Sequence, residues 1–219
     1  MNEFIMTAME IIGTIAFSIS GALVGASYGL DIFGVVFLGV ITSVGGGMLR
    51  DVIIGNIPPL IFSNTYIFVL AAITAIIVFI VAYINRHHFQ TLREKIEKIN
   101  NVFDAIGLSA FTVTGTEISC AAGFSDKILL VILMGMTTGV GGGIFRDVLV
   151  SKTPYVLKKH IYALASIIGS VIYYCIRIAT EEKAIGTVFA ILTVFIIRML
   201  ATKYRWKLPK INLEKQKSI

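Results

Sequence analysis

The feature that most constrains this chain is a succession of apolar stretches, each long enough to cross a bilayer. A helix needs about 20 such residues to span the hydrocarbon core, and stretches of roughly that length lie at about 5–26, 33–54, 64–84, 102–121, 128–149, 160–178 and 184–201. Only 15% of the residues are charged, against about a quarter in soluble domains. Because most helix-length windows are apolar on all sides, we predict an all-α, polytopic membrane protein with seven transmembrane helices.

The chain also contains an internal repeat. EIIGTIAFSISG at 10–21 aligns with DAIGLSAFTVTG at 104–115, and VGGGMLRDV at 44–52 aligns with VGGGIFRDV at 140–148. Each copy holds three spans, and because three is odd the copies enter the membrane from opposite sides, as an inverted repeat. We place repeat one at about 5–84, repeat two at about 102–178, an unpaired seventh helix at about 184–201 and a basic tail at 202–219, all in one transmembrane domain.

The distribution of Lys and Arg indicates the orientation. Outside the glycine motifs they concentrate at 85–101, at 150–159 and from Arg198 onward, whereas Lys127, Arg177 and Lys183 fall on the opposite side. Cytoplasmic loops carry the basic excess, so we predict a cell membrane (inner or plasma) protein with its N-terminus outside and its C-terminus in the cytoplasm. This placement accounts for the net charge of +6 without nucleic acid, for which no binding motif is present. The N-terminal residues do not have the pattern of a signal peptide.

The glycine triplets of the second and fifth spans are the candidate pore or hinge residues. They are Gly45, Gly46, Gly47, Gly141, Gly142 and Gly143. A glycine inside a helix costs about 1 kcal/mol relative to alanine, and a broken backbone is tolerated in a membrane only where it is buried in protein or lines a wet cavity. We therefore expect both spans to break at the triplets and to release polar backbone groups near the midplane. The alternative is that these glycines only let helices approach closely.

Charged residues inside the same spans are the candidate pore charges. They are Arg50, Asp51, Arg146, Asp147, Glu10 and Asp104. An arginine at the bilayer centre costs about 2.5–3.5 kcal/mol, so both arginines should face inward and find partners. Adjacent helix positions point apart, and we therefore expect each arginine to pair with the acid of the first or fourth span rather than with the aspartate that follows it.

Further polar residues of the first and fourth spans are possible lining of a pathway. They are Ser18, Ser20, Thr112, Thr114, Thr116 and Glu117. The hydroxyls could equally bond their own helix backbone, and the glutamate could be an interfacial charge. We expect no metal site and no cofactor, because His87, His88 and His160 fall in loops. We expect no enzyme either, because no catalytic set can be placed and the glycine runs lack the lysine of a phosphate-binding loop.

The doubled pattern of acid-x-x-Gly-x-x-Ala-Phe and Gly-Gly-Gly-x-x-Arg-Asp-Val resembles the prokaryotic branch of the trimeric intracellular cation (TRIC) channels. Some bacterial members of that family are described as glycine transporters. The resemblance covers nearly all of residues 5–200. It implies a homotrimer in the lipid bilayer, with a pore in each protomer for monovalent cations, chiefly potassium, along kinked spans two and five. It also implies that the glycine triplets are hinges and that Arg50 and Arg146 lie beside the pore.

Two functions remain open from the residues alone. In a passive cation channel, carbonyls freed at the glycine breaks would replace part of an ion's hydration shell, and the arginines would need neutralising acids. In a small amino-acid (glycine) transporter, half-helix N-termini and arginine would take the carboxylate, while carbonyls and aspartate would take the ammonium group. A structural protein without a pathway is a third possibility.

Overall fold

The computed structural model describes residues 2–86, 93–158, 161–180 and 183–206. All regular structure within these ranges is helical, as the sequence predicts. The three histidines and the basic tail from residue 207 onward lie outside the described residues.

Seven long helices form the described part of the chain. They are α1 (Asn2–Ser27), α2 (Ile32–Ile53), α3 (Thr65–Ile84), α4 (Arg93–Ser119), α5 (Ile128–Leu149), α6 (Ile161–Thr180) and α7 (Lys183–Lys203). Short helical turns at Leu60–Phe62, Cys120–Phe124 and Tyr155–Lys158 lie between them. Asp31 caps α2, where its carboxylate accepts a hydrogen bond from the Gly34 N–H at 2.7 Å, which satisfies a donor of the first turn.

Six of these helices, all except α4, are long and apolar enough to cross a membrane, and the chain is a multi-pass membrane protein. Helix α4 differs because Asp104, Glu117 and several hydroxyls lie along it. It begins at Arg93, earlier than the predicted start near 102, and half of the preceding residues EKIEKINN (94–101) are the strong helix formers Glu and Lys. The seventh crossing, by α4, stays a prediction.

The helices pack as two corresponding groups. Helices α1–α3 contact one another, and so do α4–α6. Across the two groups, α1 lies against its counterpart α4 and α2 against its counterpart α5, while α7 packs on α4 and α6. Phe17 of α1 and Phe111 of α4 meet in the core with ring centroids 5.3 Å apart. Outward-facing residues of α3 such as Ile73 and Ile77 are exposed, as expected of a surface that faces lipid.

The expected breaks at the glycine triplets are absent, and this prediction was wrong. Helices α2 and α5 run without interruption through residues 45–47 and 141–143. The reason for glycine is instead the closeness of the two helices. A methyl group on Gly46 would overlap the backbone carbonyl of Thr138, and one on Gly142 would overlap the carbonyl of Thr42. Close helix contact, the alternative interpretation, therefore accounts for these two glycines.

Candidate functional site

The last turns of α2 and α5 each carry a buried Arg–Asp ion pair. Arg50 donates to Asp51 Oδ1 from Nε at 2.9 Å and from Nη2 at 2.7 Å. Arg146 Nε donates to Asp147 Oδ1 at 3.0 Å. The expectation that neighbouring positions would not pair was wrong, because the long arginine side chain folds back along its helix and reaches the adjacent carboxylate.

The second oxygen of each aspartate holds the chain that follows the helix. Asp51 Oδ2 accepts a hydrogen bond from the Leu60 N–H at 2.9 Å, and Asp147 Oδ2 accepts one from the Tyr155 N–H at 2.7 Å. In the repeat alignment Pro59 stands where Tyr155 does. Proline has no N–H, so the next residue donates in repeat one. Each aspartate therefore joins its arginine to the following loop.

In repeat two the ion pair extends into a larger buried cluster. Arg146 Nη1 donates to Asp104 Oδ1 on α4 at 2.7 Å and to Ser20 Oγ on α1 at 2.6 Å. The predicted pairing of this arginine with the acid of the fourth span is confirmed. Arg198 of α7 completes the cluster, with Nη2 3.7 Å from Asp104 Oδ2 and its guanidinium carbon 4.5 Å from the centroid of the Tyr162 ring. Two guanidinium groups and two carboxylates thus lie together.

Arg198 is the functional candidate that the sequence analysis missed. It was assigned to the basic cytoplasmic end of the chain, but it is 1% exposed and points into the helix bundle. The signal that could have revealed it is its position inside the apolar run TVFAILTVFIIRMLATK. An ionisable residue inside a membrane helix faces the protein interior and needs a partner there.

In repeat one the corresponding acid has different contacts. Glu10 accepts a hydrogen bond from Tyr66 Oη at 3.2 Å, and no ion pair joins it to Arg50. The predicted pairing of these two residues was therefore wrong. Both side chains instead line a cavity, which we call the repeat-one cavity.

The repeat-one cavity lies where the two repeats meet and has a volume of about 140 Å³. A molecule in liquid water occupies about 30 Å³, so several waters fit. Gly47, the last glycine of the first triplet, is part of its wall. Its polar lining residues are Thr7, Glu10, Thr14, Ser43, Arg50, Asp51, Asn64, Thr114 and Thr138.

The predicted hydroxyl lining residues are divided among several places. Thr114 lines the repeat-one cavity, and Ser20 contacts Arg146. Ser18 donates to a carbonyl of α3 at 2.6 Å, while Thr112 and Thr116 bond serines of α6 at 2.6 and 3.1 Å. These last three hydroxyls join helices within a repeat and are not among the residues that line the cavity.

Glu117 belongs to a separate buried cluster. Its carboxylate accepts hydrogen bonds from Arg177 Nε at 2.6 Å and Tyr173 Oη at 3.0 Å, and it also binds Lys183 Nζ. The cluster joins the end of α4 to α6 and α7. It is not part of the repeat-one cavity wall.

Comparison with known protein families identifies the family to which the chain belongs. Residues 7–83 and 101–177 each match a family described as "Glycine transporter". The chain belongs to this family. The two matched stretches are the two copies of the sequence repeat. Proteins similar to this chain over nearly its whole length include the UPF0126 inner membrane protein YadS of Escherichia coli, 32% identical over 94% of this chain and 96% of that protein. The UPF0126 membrane protein YvgT of Bacillus subtilis is also 32% identical, over 92% of this chain and 94% of that protein.

Solved structures of the same fold are TRIC channels, and the expected membership of the TRIC channel family is confirmed. A prokaryotic TRIC channel crystallised in 0.5 M KCl is 37% identical with a TM-score of 0.83, over 94% of this chain and 100% of that chain. The TRIC trimeric intracellular cation channel orthologue from Rhodobacter sphaeroides is 28% identical with a TM-score of 0.80, over 92% of this chain and 98% of that chain.

Proposed function

We propose that this family member is a monovalent cation channel that conducts potassium, with its pathway passing through the repeat-one cavity. The observation that carries the proposal is the cavity itself, which places Glu10 and Asp51 beside buried hydroxyls at the junction of the repeats. Pathways in inverted-repeat membrane proteins lie at such junctions. The solved structures that resemble this chain are described as cation channels, which supports the proposal.

The arginine beside the cavity is compatible with cation passage because its charge is neutralised. Both Arg50 Nε and Nη2 donate to Asp51, so the pair carries no net formal charge. Glu10 then supplies the negative charge next to the cavity. Since α2 and α5 are unbroken, side-chain oxygens rather than freed backbone carbonyls would replace the hydration shell of the ion.

The proposed assembly is a homotrimer in the inner or plasma membrane, with one pathway in each protomer. A solved structure of the same fold is described as a trimeric channel, and a similar protein of Escherichia coli as an inner membrane protein. The proposed orientation, N-terminus outside and C-terminus in the cytoplasm, rests on the distribution of basic residues.

A second candidate function is transport of a small amino acid such as glycine. The description of the family supports it, and so does one feature of the repeat-one cavity. Arg50 Nη1 makes no hydrogen bond to a described residue, so it is available for a carboxylate, while Glu10 lines the same cavity and suits an ammonium group.

The two candidates are separated by flux measurements on the purified protein in liposomes of defined lipid. We expect a potassium current without uptake of labelled glycine, and we expect Glu10→Gln to reduce the current. Glu117→Gln is the matched control, because it removes a buried carboxylate outside the cavity. Glycine uptake without a current would establish the transporter instead, and neither flux would overturn both proposals.

A further inference from the structure

The arginine cluster of repeat two and the repeat-one cavity are corresponding parts of an inverted repeat in two different arrangements. In repeat two, Arg146 Nη1 on α5 donates both to Asp104 on α4 and to Ser20 on α1. All three side chains are buried. One guanidinium group thus ties the last turn of α5 to the two helices that face it, and this end of the junction between the repeats is closed.

The corresponding residues of repeat one are available for the same contact but do not make it. In the repeat alignment the counterparts of that arginine, aspartate and serine are Arg50, Glu10 and Thr114. All three line the repeat-one cavity, and Arg50 Nη1 makes no hydrogen bond to a described residue. Thr114 donates to a carbonyl of its own helix at 3.3 Å, so its oxygen can still accept. Repeat one therefore holds a complete set of partners that are separated by the cavity.

Two corresponding tyrosines differ in the same sense. A methyl group on Gly143 would lie 3.1 Å from Tyr162 Oη, so this hydroxyl packs against the last glycine of the α5 triplet. The counterparts in repeat one are Gly47 and Tyr66. A methyl group on Gly47 would meet no atom of another helix within 4 Å, and Tyr66 Oη instead donates to Glu10. The Tyr66 hydroxyl is thus withdrawn from α2.

We propose that the two repeats exchange these arrangements. In the exchanged state Arg50 Nη1 donates to Glu10 and Thr114. The Tyr66 hydroxyl then lies on Gly47, which closes the repeat-one cavity, while the corresponding contacts of repeat two open. Movement of one repeat against the other is how inverted-repeat membrane proteins expose a site alternately to the two sides of the membrane. The exchange goes beyond the proposed channel function, because it would admit either candidate solute.

The exchange predicts opposite effects for corresponding hydroxyls, which a merely structural role would not produce. Loss of the Ser20 hydroxyl weakens the closed end in repeat two and favours the exchanged state. Loss of the Thr114 hydroxyl weakens the contact that holds the exchanged state. Because each hydroxyl accepts from a charged guanidinium group, each loss should change the ratio of the two states by about tenfold or more.

The test is double electron–electron resonance between nitroxide labels on α1 and α2 of the purified full-length protein in lipid nanodiscs. Phe4→Cys and Ile53→Cys place the labels on exposed residues outside the cavity wall. Cys120→Ser and Cys175→Ser remove the native thiols. Co-expression with an excess of unlabelled, cysteine-free chains keeps one labelled chain in each assembly.

We expect a main distance that corresponds to the open repeat-one cavity and a second, shorter distance that corresponds to the closed one. The share of the shorter distance should rise about tenfold in Ser20→Ala and fall again when Thr114→Val is added. Thr193→Val is the matched control, since the Thr193 hydroxyl also bonds a carbonyl of its own helix but lies outside the cavity wall. Added to Ser20→Ala, it should leave the shorter distance unchanged.

A single distance in both the labelled parent and Ser20→Ala would overturn the exchange. A shorter distance that persists unchanged when Thr114→Val is added would overturn it as well. If Ser20→Ala does not fold, Asn100→Ala takes its place with the same expectations. Asn100 Oδ1 accepts a hydrogen bond from the Ser20 hydroxyl at 2.9 Å and so orients that hydroxyl toward the closed state of repeat two.

Failure of the exchange and failure of the channel are distinguishable, because the distances are measured without flux. Potassium current in liposomes from a protein that keeps one distance in every variant would refute the exchange and leave the channel function intact. Two distances that respond oppositely to Ser20→Ala and Thr114→Val, in a protein that passes no potassium current, would support the exchange and refute the channel.

Discussion

At the residue scale, Arg50 and Arg146 occupy corresponding positions but have different surroundings. Arg146 is bonded to Asp147, Asp104 and Ser20 in a buried cluster. Arg50 is bonded to Asp51 and lines the repeat-one cavity. Water in that cavity can solvate the Asp51 carboxylate when Arg50 is substituted. The two arginines should therefore contribute differently to stability and to conduction.

We predict that Arg146→Ala chiefly destabilises the protein and that Arg50→Ala chiefly changes its potassium current. Truncating one partner of a buried ion pair costs about 3–5 kcal/mol because the other charge is left unpaired. Thermal unfolding in detergent and single-channel currents measure the two effects. Equal losses of melting temperature, together with unchanged currents in both variants, would contradict this difference.

Arg198 shows why side-chain partners were hard to predict. It lies near the end of an apolar run, where a count of basic residues assigns it to the cytoplasmic loops. Its buried position depends on Asp104, Tyr155 and Tyr162, which come from α4 and from the segment around the start of α6. Contacts between residues so distant in the chain are set by helix packing, which the local pattern does not contain.

At the element scale, the contact between α2 and α5 depends on glycines that face the partner helix. Gly46 lies against the Thr138 carbonyl, whereas a methyl group on its neighbour Gly47 would meet nothing closer than Arg50 Nη2 at 3.7 Å. The triplet therefore contains one position that requires glycine for packing and one that does not.

We predict that Gly46→Ala destabilises the protein by about 1–3 kcal/mol or more, because overpacking forces the two helices apart. Gly47→Ala, the matched control, should leave stability unchanged or raise it, since alanine favours the helix by about 1 kcal/mol. Thermal unfolding of the two variants measures the difference. A larger loss for Gly47→Ala would show that the triplet is needed for flexibility rather than for contact.

The same glycines mark the limit of what the sequence predicts about the site. The bounds of α2 and α5, near 33–54 and 128–149, were predicted closely because length and hydropathy determine a membrane span. Whether the glycine triplet breaks the helix or brings another helix close was not predictable. A broken helix and a close helix contact both favour glycine, because glycine has no Cβ atom. Only the position of Thr138 on the neighbouring helix distinguishes the two outcomes.

Glu117 is predicted to act in helix attachment rather than in conduction. Its carboxylate joins α4 to α6 and α7 through Tyr173, Arg177 and Lys183. Glu117→Gln should lower the melting temperature, because it weakens charge-assisted hydrogen bonds worth about 1.5–3 kcal/mol. The potassium current per folded protomer should not change. A loss of current without a loss of stability would place Glu117 on the pathway.

At the scale of the whole molecule, an inverted repeat supplies two similar half-sites that have come to differ. The family match to both halves and the paired Arg–Asp motifs follow from duplication. The difference comes from Arg198 on the unpaired α7 and from the replacement of Thr14 and Ser43 by Leu108 and Gly139 in repeat two. In repeat two the buried guanidinium of Arg198 lies beside Asp104, whereas repeat one keeps a cavity at the junction of the repeats.

The central claim is that cations pass through the repeat-one cavity, and accessibility to silver ion tests it most directly. Ag⁺ has the same single charge as potassium and binds thiols, so Thr14→Cys and its repeat-two counterpart Leu108→Cys can be compared in a background that carries Cys120→Ser and Cys175→Ser. We expect Ag⁺ to block potassium current through the Thr14→Cys channel and to leave the Leu108→Cys channel and the cysteine-free parent unaffected. Current through Thr14→Cys that persists in Ag⁺, or equal block of both cysteine variants, would contradict the claim.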